Sequence, residues 1–296
     1  MLAAVPPSAL EIVRAYAPGG VEVRPTGDGL AGVEFLVASW ENHEVMDHLG
    51  EARELRVVQV LSAGTDGIEE LVPPGVTLCN ARGARDVNVA EWVIAALLGD
   101  ATGLLRSAAR QHERDWSRYQ PSELAGTTVL ILGHGSIGEA VRRRLMVLRA
   151  DVVAVARQAR PGVHPVEDLG ELIGSADAVV VLTPLTPATR GMVDAGFLAR
   201  MRDGALLVNA GRGPVVDTAA LIRETASGRL RAVLDVVDPE PLPADHPLWT
   251  TPGVTITPHV AGDTPSAELR AQRLAGEQLA RYARGEPLRN VVVRAT

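Results

Sequence analysis

Thr128-Val-Leu-Ile-Leu-Gly133-His134-Gly135-Ser136-Ile137-Gly138, followed by Glu-Ala-Val-Arg-Arg-Arg-Leu145, is the stretch on which the fold turns. An apolar run of strand length enters a G-x-G-x-x-G turn and leaves as a helical pattern, the context that turns three glycines into a dinucleotide fingerprint. Gly133 permits the tight turn, Gly135 lets the backbone approach a pyrophosphate, and Gly138 lets the helix pack on the strand. The phosphates then meet unpaired N–H groups at the helix N-terminus. Apolar runs recur at 128–132, 152–156, 178–182, 205–209, 231–236 and 254–257, with helical material between most of them. Six such runs match the two halves of a doubly wound sheet.

Upstream, residues 8–16 and 42–50 read as helices, and 33–38, 56–61 and 76–79 as strands. A long helical pattern covers 87–110, and a last amphipathic helix covers 266–284. Strands alternating with helices imply parallel pairing through crossovers. The chain has 296 residues, enough for two domains at roughly 150 residues each. The expected α/β architecture has two doubly wound parallel-sheet domains. A Rossmann cofactor domain, 87–264, is inserted into a smaller flavodoxin-like substrate domain made of 1–86 and 265–296.

Composition narrows the chemistry. The chain has 29 basic and 36 acidic residues, a formal net charge of -7, and no basic tail, so no nucleic-acid footprint is visible. Every basic residue is Arg, which excludes Schiff bases, pyridoxal phosphate anchoring and a phosphate-loop lysine. Cys79 is the single cysteine, so no intrachain disulfide forms, and neither it nor His43 and His48, five apart, makes a metal motif. No run approaches 18 apolar residues and the N-terminus has no basic leader. A cytoplasmic protein without a membrane partner or a metal is expected.

The run Val152–Ala156 should be followed by an acid for the ribose 2′-hydroxyl of NAD. Instead it leads into Arg157-Gln158-Ala159-Arg160, and the next acid is Glu167. Arg157 and Arg160 are suited to a 2′-phosphate, so NADP(H) is expected over NAD(H); both are otherwise solvated loop residues.

Three polar residues follow the last three apolar runs: Arg212 in Asn209-Ala-Gly-Arg-Gly-Pro214, Glu240 in Asp235-Val-Val-Asp-Pro-Glu-Pro241, and His259 in Thr257-Pro-His-Val-Ala-Gly262. Ligands of open α/β sheets bind beyond the carboxyl ends of the strands. There, Arg clamps a carboxylate and polarises the adjacent carbonyl, His supplies a proton to the new alkoxide, and a carboxylate supports the imidazolium. Singly, each reads equally well as a capping Arg, a solvated acid or a turn histidine.

With these segments in view, the chain resembles the D-isomer-specific 2-hydroxyacid dehydrogenases over nearly its whole length. The specific pieces are Leu206–Asp217, Asp235–Pro241 and Thr257–Thr264. The resemblance implies Arg212 as substrate-binding residue, Glu240 as partner of His259, and His259 as acid/base. It implies a substrate loop at Leu61–Asp66, whose Ser62, Ala63 and Gly64 N–H groups receive the carboxylate. Ser136, Ile137, Thr183, Pro184, Thr189, Ala210, Asp235, Ala261 and Gly262 fall on its cofactor-lining positions, the loop Thr183–Thr189 following the third strand. Family members pair as dimers through the cofactor domain, which points here to 87–118 with Trp92 and Trp116. Trp40 is positioned either to restrict a substrate cavity or to pack as a boundary aromatic.

The expected activity is hydride transfer from NAD(P)H to a short 2-oxo acid of the glyoxylate or hydroxypyruvate type, giving the D-2-hydroxy acid. Specialists on the same scaffold oxidise formate, phosphite or a phosphonate. Formate members pair their His with Gln, where this chain has Glu240, and phosphite members resemble it less because it lacks lysine. A non-catalytic NAD(H)-sensing protein is the third reading; the chain has no peptide-binding extension of the kind that such sensors carry.

Overall fold

The computed structural model describes residues 1–39 and 43–294. Trp40 lies outside them. In chain order the elements are β1 (Leu2–Val5), α1 (Leu10–Tyr16), β2 (Glu22–Pro25), β3 (Phe35–Ala38), α2 (His43–Asp47), β4 (Val57–Val60), β5 (Thr77–Cys79), α3 (Asp86–Ala101) and α4 (Leu104–Glu113). They continue as β6 (Thr128–Leu132), α5 (Ser136–Val147), β7 (Asp151–Ala156), β8 (His164–Pro165), α6 (Leu169–Leu172), β9 (Ala178–Val181), α7 (Ala195–Arg200) and β10 (Leu206–Asn209). The last are α8 (Thr218–Ala226), β11 (Arg231–Leu234), β12 (Val254–Ile256), α9 (Pro265–Ala283) and β13 (Val291–Val293). The chain divides into two compact units, Met1–Arg85 with Asp263–Thr296, and Asp86–Gly262. The junctions expected from the sequence fell after residues 86 and 264.

The first unit has a six-stranded sheet in the order β2-β1-β3-β4-β5-β13. The first five strands are parallel and follow the flavodoxin order 2-1-3-4-5; β13 closes the edge antiparallel to β5. Both faces are buried. Phe35 and Val37 join α9 residues Ala271, Ala275 and Leu279 on one side, while Leu36 and Ala38 join Met46 and Leu49 on the other. That double coverage is why these strands read as unbroken apolar runs. Three strands were not foreseen: β1, β2 and β13. β1 is an apolar run, Leu-Ala-Ala-Val, but it is only four residues long and ends at Pro6-Pro7; β2 is an edge strand of mixed Glu-Val-Arg-Pro character and shows no apolar run.

The second unit has a seven-stranded, all-parallel sheet in the order β8-β7-β6-β9-β10-β11-β12. Counted from β6 this is the Rossmann order 3-2-1-4-5-6 with one strand added. The apolar run at 178–182 is therefore the fourth strand of the unit, not the third. The true third strand, β8, is a His-Pro pair on the edge and carries no hydrophobic signal. The helical pattern expected over 87–110 is two helices, α3 and α4, bent by 64° at Thr102-Gly103. No single described helix is long and apolar enough to cross a membrane. Among the described residues no group of three or more His, Cys, Asp or Glu could hold a metal ion. Cys79 is buried, and burial pushes its thiol up to about 11.

α9 joins the first unit by packing directly on α1. A Cβ built on Gly276 would lie 2.8 Å from the Tyr16 ring, so the two helices meet at a position with no room for a methyl group. Below it Gln278 donates to the buried Gln59 of β4 (3.2 Å) and to the Arg289 carbonyl (2.7 Å). Gly276→Ala is expected to cost about 1–3 kcal/mol by overpacking, read by urea unfolding; no loss would show that the α1–α9 contact is slack.

Candidate active site

In the second unit's sheet the strand order reverses between β6 and β9, and the carboxyl ends of the strands there form the switch point where open α/β sheets bind ligands. Gly133 turns there with φ +103°, and a Cβ on it would lie 2.7 Å from the Leu182 carbonyl carbon and the Thr183 nitrogen. Gly138 seats the first turn of α5 equally closely, its Cβ position 2.6 Å from the Gly133 oxygen. Gly135, by contrast, faces open space with nothing within 4 Å. Tight turn, close helix and open middle glycine form a cradle that fits a dinucleotide pyrophosphate at the α5 N-terminus. Thr183 adds a second sign. It is buried, yet its hydroxyl has no partner among the described residues, and buried polar groups are normally paired. Ser136 donates from its hydroxyl to Asp86 (3.1 Å) at the start of α3.

Not every expected cofactor residue is free to reach a ligand through its polar atoms. The Thr189 hydroxyl donates to the Pro184 carbonyl (2.6 Å) and accepts from the Thr186 N–H (2.8 Å), stapling its own loop. The Ala210 N–H continues the sheet to Val181 (3.1 Å), and the Ala261 N–H goes to Asp235 (3.0 Å). Arg157 is exposed at the end of β7. Arg160 starts a two-residue turn through Pro161 and Gly162, closed by hydrogen bonds to and from Val163 (3.2 and 2.8 Å). Its guanidinium reaches back onto the glycine loop, where Nη2 donates to the His134 carbonyl and to His134 Nδ1, the latter at 3.0 Å.

The catalytic candidates lie along the same edge. His259 Nδ1 and Glu240 Oε1 are 2.5 Å apart, an aligned pair whose imidazole is half-exposed. The backbone at His259 is left-handed, with φ +54°. That conformation costs a non-glycine residue about 1–3 kcal/mol and persists only where neighbours over-determine it. Asp235, buried at the end of β11, does so. Its Oδ1 accepts from the Thr257 hydroxyl (2.6 Å) and the Val260 N–H (2.9 Å), and its Oδ2 from the Ala261 N–H (3.0 Å). The His259 N–H donates to the Asp235 carbonyl (2.8 Å). Asn88 of α3 completes the clamp by donating to the Ala261 carbonyl (2.9 Å). This work of Asp235 and Asn88 escaped the sequence reading. The signal for Asp235 was an acid at the end of a buried apolar run, which must be hydrogen-bonded to be tolerated.

Arg212 occupies the neighbouring loop after β10. Asn209 shapes that loop, accepting from the Gly211 N–H (3.0 Å) and donating to the Arg212 carbonyl (3.1 Å), while Arg212 Nη1 donates to the Gly211 carbonyl (2.8 Å). In the first unit, the loop after β4 has all three of its carbonyls engaged: Ser62 by the Ala81 N–H, Ala63 by Asn80 and Gly64 by the Ser62 hydroxyl. The N–H groups of Ser62, Ala63 and Gly64 have no partner among the described residues. A cavity of about 250 Å³ opens beside Ser62, walled by Met46, Val60, Ile68 and Leu71.

Comparison with known proteins identifies the family. Residues 94–261 match the family model for the D-isomer specific 2-hydroxyacid dehydrogenase NAD binding domain. A human glyoxylate reductase/hydroxypyruvate reductase is 31% identical over 88% of this chain and 84% of its own length. A D-3-phosphoglycerate dehydrogenase from Archaeoglobus fulgidus is 32% identical over 81% of this chain but only 48% of its own length; the chain thus spans about half of such relatives. Among solved structures, an NADPH-dependent glyoxylate/hydroxypyruvate reductase from Sinorhizobium meliloti, complexed with NADP and sulfate, superposes with a TM-score of 0.86 at 30% identity, covering 98% of both chains. The chain belongs to the D-isomer specific 2-hydroxyacid dehydrogenase family.

Because one buried carboxylate holds the His259 loop, Asp235→Ala leaves three donors unsatisfied and is expected to cost about 2–4 kcal/mol. Thermal unfolding checks it; a loss under about 1 kcal/mol would mean that the loop is held by other contacts.

Proposed function

We propose that this protein reduces a short 2-oxo acid to the D-2-hydroxy acid, with NADPH preferred over NADH. The observation that carries the reading is the His259–Glu240 pair, held at 2.5 Å at the carboxyl edge of the sheet beside the Arg212 loop. A nicotinamide dinucleotide held at the glycine loop would supply hydride to the carbonyl carbon. His259 gives the proton that the carbonyl oxygen takes up as its double bond opens, and Glu240 holds the ring in place and stabilises the imidazolium. Arg212 clamps the carboxylate through its planar fork and draws electron density from the neighbouring carbonyl. The N–H groups of Ser62, Ala63 and Gly64, without partners among the described residues, suit an anionic oxygen. The glycine loop, Ser136, Ile137, Thr183, Pro184, Ala261 and Gly262 hold the dinucleotide, with Asp235 fixing the loop that bears the last two.

NADPH preference is supported by the missing acid after β7 and by Arg157 and Arg160 in its place. Glyoxylate and hydroxypyruvate are the first substrates to try, in keeping with the names of the human and Sinorhizobium relatives. We assign the protein to the cytoplasm as a homodimer paired through 87–118, a segment with Trp116 94% and Leu104 67% exposed.

The test is nicotinamide oxidation, NADPH beside NADH, against a panel of short 2-oxo acids. His259→Ala is expected to lower kcat by about 10²–10⁴ with cofactor affinity unchanged. A rate within a few-fold of the parent would remove His259 from the acid role.

A further inference from the structure

We propose that His134, inside the glycine loop, is a positioning residue for cofactor discrimination: it holds the Arg160 guanidinium where the 2′-phosphate of NADP(H) arrives. The inference rests on the NADP(H) preference proposed above. Arg157, three residues earlier, is exposed, and the segment 157–160 is an exposed stretch outside the strands, so the backbone alone leaves an arginine side chain free to wander. Arg160 is different. Its Nη2 donates to both the carbonyl and the Nδ1 of His134, while its Nε and Nη1 have no partner among the described residues. One edge of the fork is docked on the loop that cradles phosphates, and the remaining donors are left for an incoming anion.

The imidazole is built to accept this contact. His134 is 8% exposed. With Nδ1 receiving Arg160, the ring proton sits on Nε2, which faces Glu139 Oε2 at 3.3 Å, too poorly aligned to count as a hydrogen bond. Glu139 is in turn bound by Arg142 (2.8 and 3.0 Å) and Arg143 (2.8 Å), which hold its carboxyl down to about 2. The groups facing His134 are thus Arg160 from the turn after β7 and Glu139 and Arg142 from α5. Burial first, and Arg160 next, lower the His134 pKa, so the ring is neutral at neutral pH. Protonation would put a hydrogen on Nδ1 opposite the Arg160 donor and bring two cations together. Arg160 would then leave its seat.

The experiment measures dissociation constants of NADP⁺ and NAD⁺ by calorimetry, which needs no substrate. Loss of a charge-assisted contact predicts that R160A and H134A each lower the NADP⁺ preference by about tenfold or more. The double variant should lose no more than either alone, because the two act as one unit. His134→Asn keeps an acceptor near the Nδ1 position and should retain the preference. Below the ordinary histidine range the parent should lose preference more steeply than H134N, which corrects for the phosphate's own titration. H134A weakening both cofactors equally, losses that multiply in the double variant, or parallel pH curves for parent and H134N would each overturn the inference. A normal ratio in R160A would overturn the NADP(H) reading along with it; a low ratio in R160A with a normal one in H134A would overturn the role of His134 alone. Should H134A not fold, the pH comparison of parent with H134N decides.

Discussion

The carboxylate of Asp235 is the constraint from which the geometry of the His259 loop follows. A buried charge costs several kcal/mol unless its lone pairs are satisfied, and here two oxygens accept three hydrogen bonds from Thr257, Val260 and Ala261. Those donors bracket His259. Once they are fixed, the histidine has no freedom to relax from its left-handed backbone, and its ring meets Glu240. The placement of the His259 ring thus comes from a residue one loop away, on the strand that also leads to Glu240.

Parallel strands impose the rest. Because every strand in the second unit's sheet points the same way, all its carboxyl ends share one edge. The glycine turn, the buried hydroxyl of Thr183, the Arg212 loop, Glu240 and His259 are brought there by topology alone. The glycines matter through what they let approach: Gly133 admits the Leu182–Thr183 backbone, Gly138 admits the first turn of α5, and Gly135 leaves space. The first unit repeats the logic on a smaller scale, with Ser62, Ala63 and Gly64 beyond the end of β4.

Much of this was legible in the residues, and the gaps have physical causes. Strands inside the sheets announce themselves as apolar runs, so β3, β4, β5, β6, β7, β9, β10 and β11 were readable, as was the edge strand β12 through its Val and Ile. The other edge strands, β2, β8 and β13, carry Arg, Pro and His or lie in a short tail, so they were not. Periodicity ran through Gly103 and hid the bend between α3 and α4. At the site, spacing after strands picked out Arg212, Glu240 and His259, because topology converts sequence position into spatial position. It could not show that Asp235 and Asn88 hold the histidine loop, or that the Thr189 hydroxyl is spent within its own loop, since such hydrogen bonds depend on side-chain direction.

Under the proposed function, hydride reaches a 2-oxo carbon at this edge while its oxygen is protonated. The most direct measurement is to reduce glyoxylate, hydroxypyruvate and related 2-oxo acids with nicotinamide cofactor deuterated at the transferring position and to analyse the product. The account predicts a 2-hydroxy acid carrying deuterium on C2, of the D series wherever C2 is a stereocentre without the label. Tight cofactor binding with no label transferred to any 2-oxo acid would contradict it, as would a product of the L series.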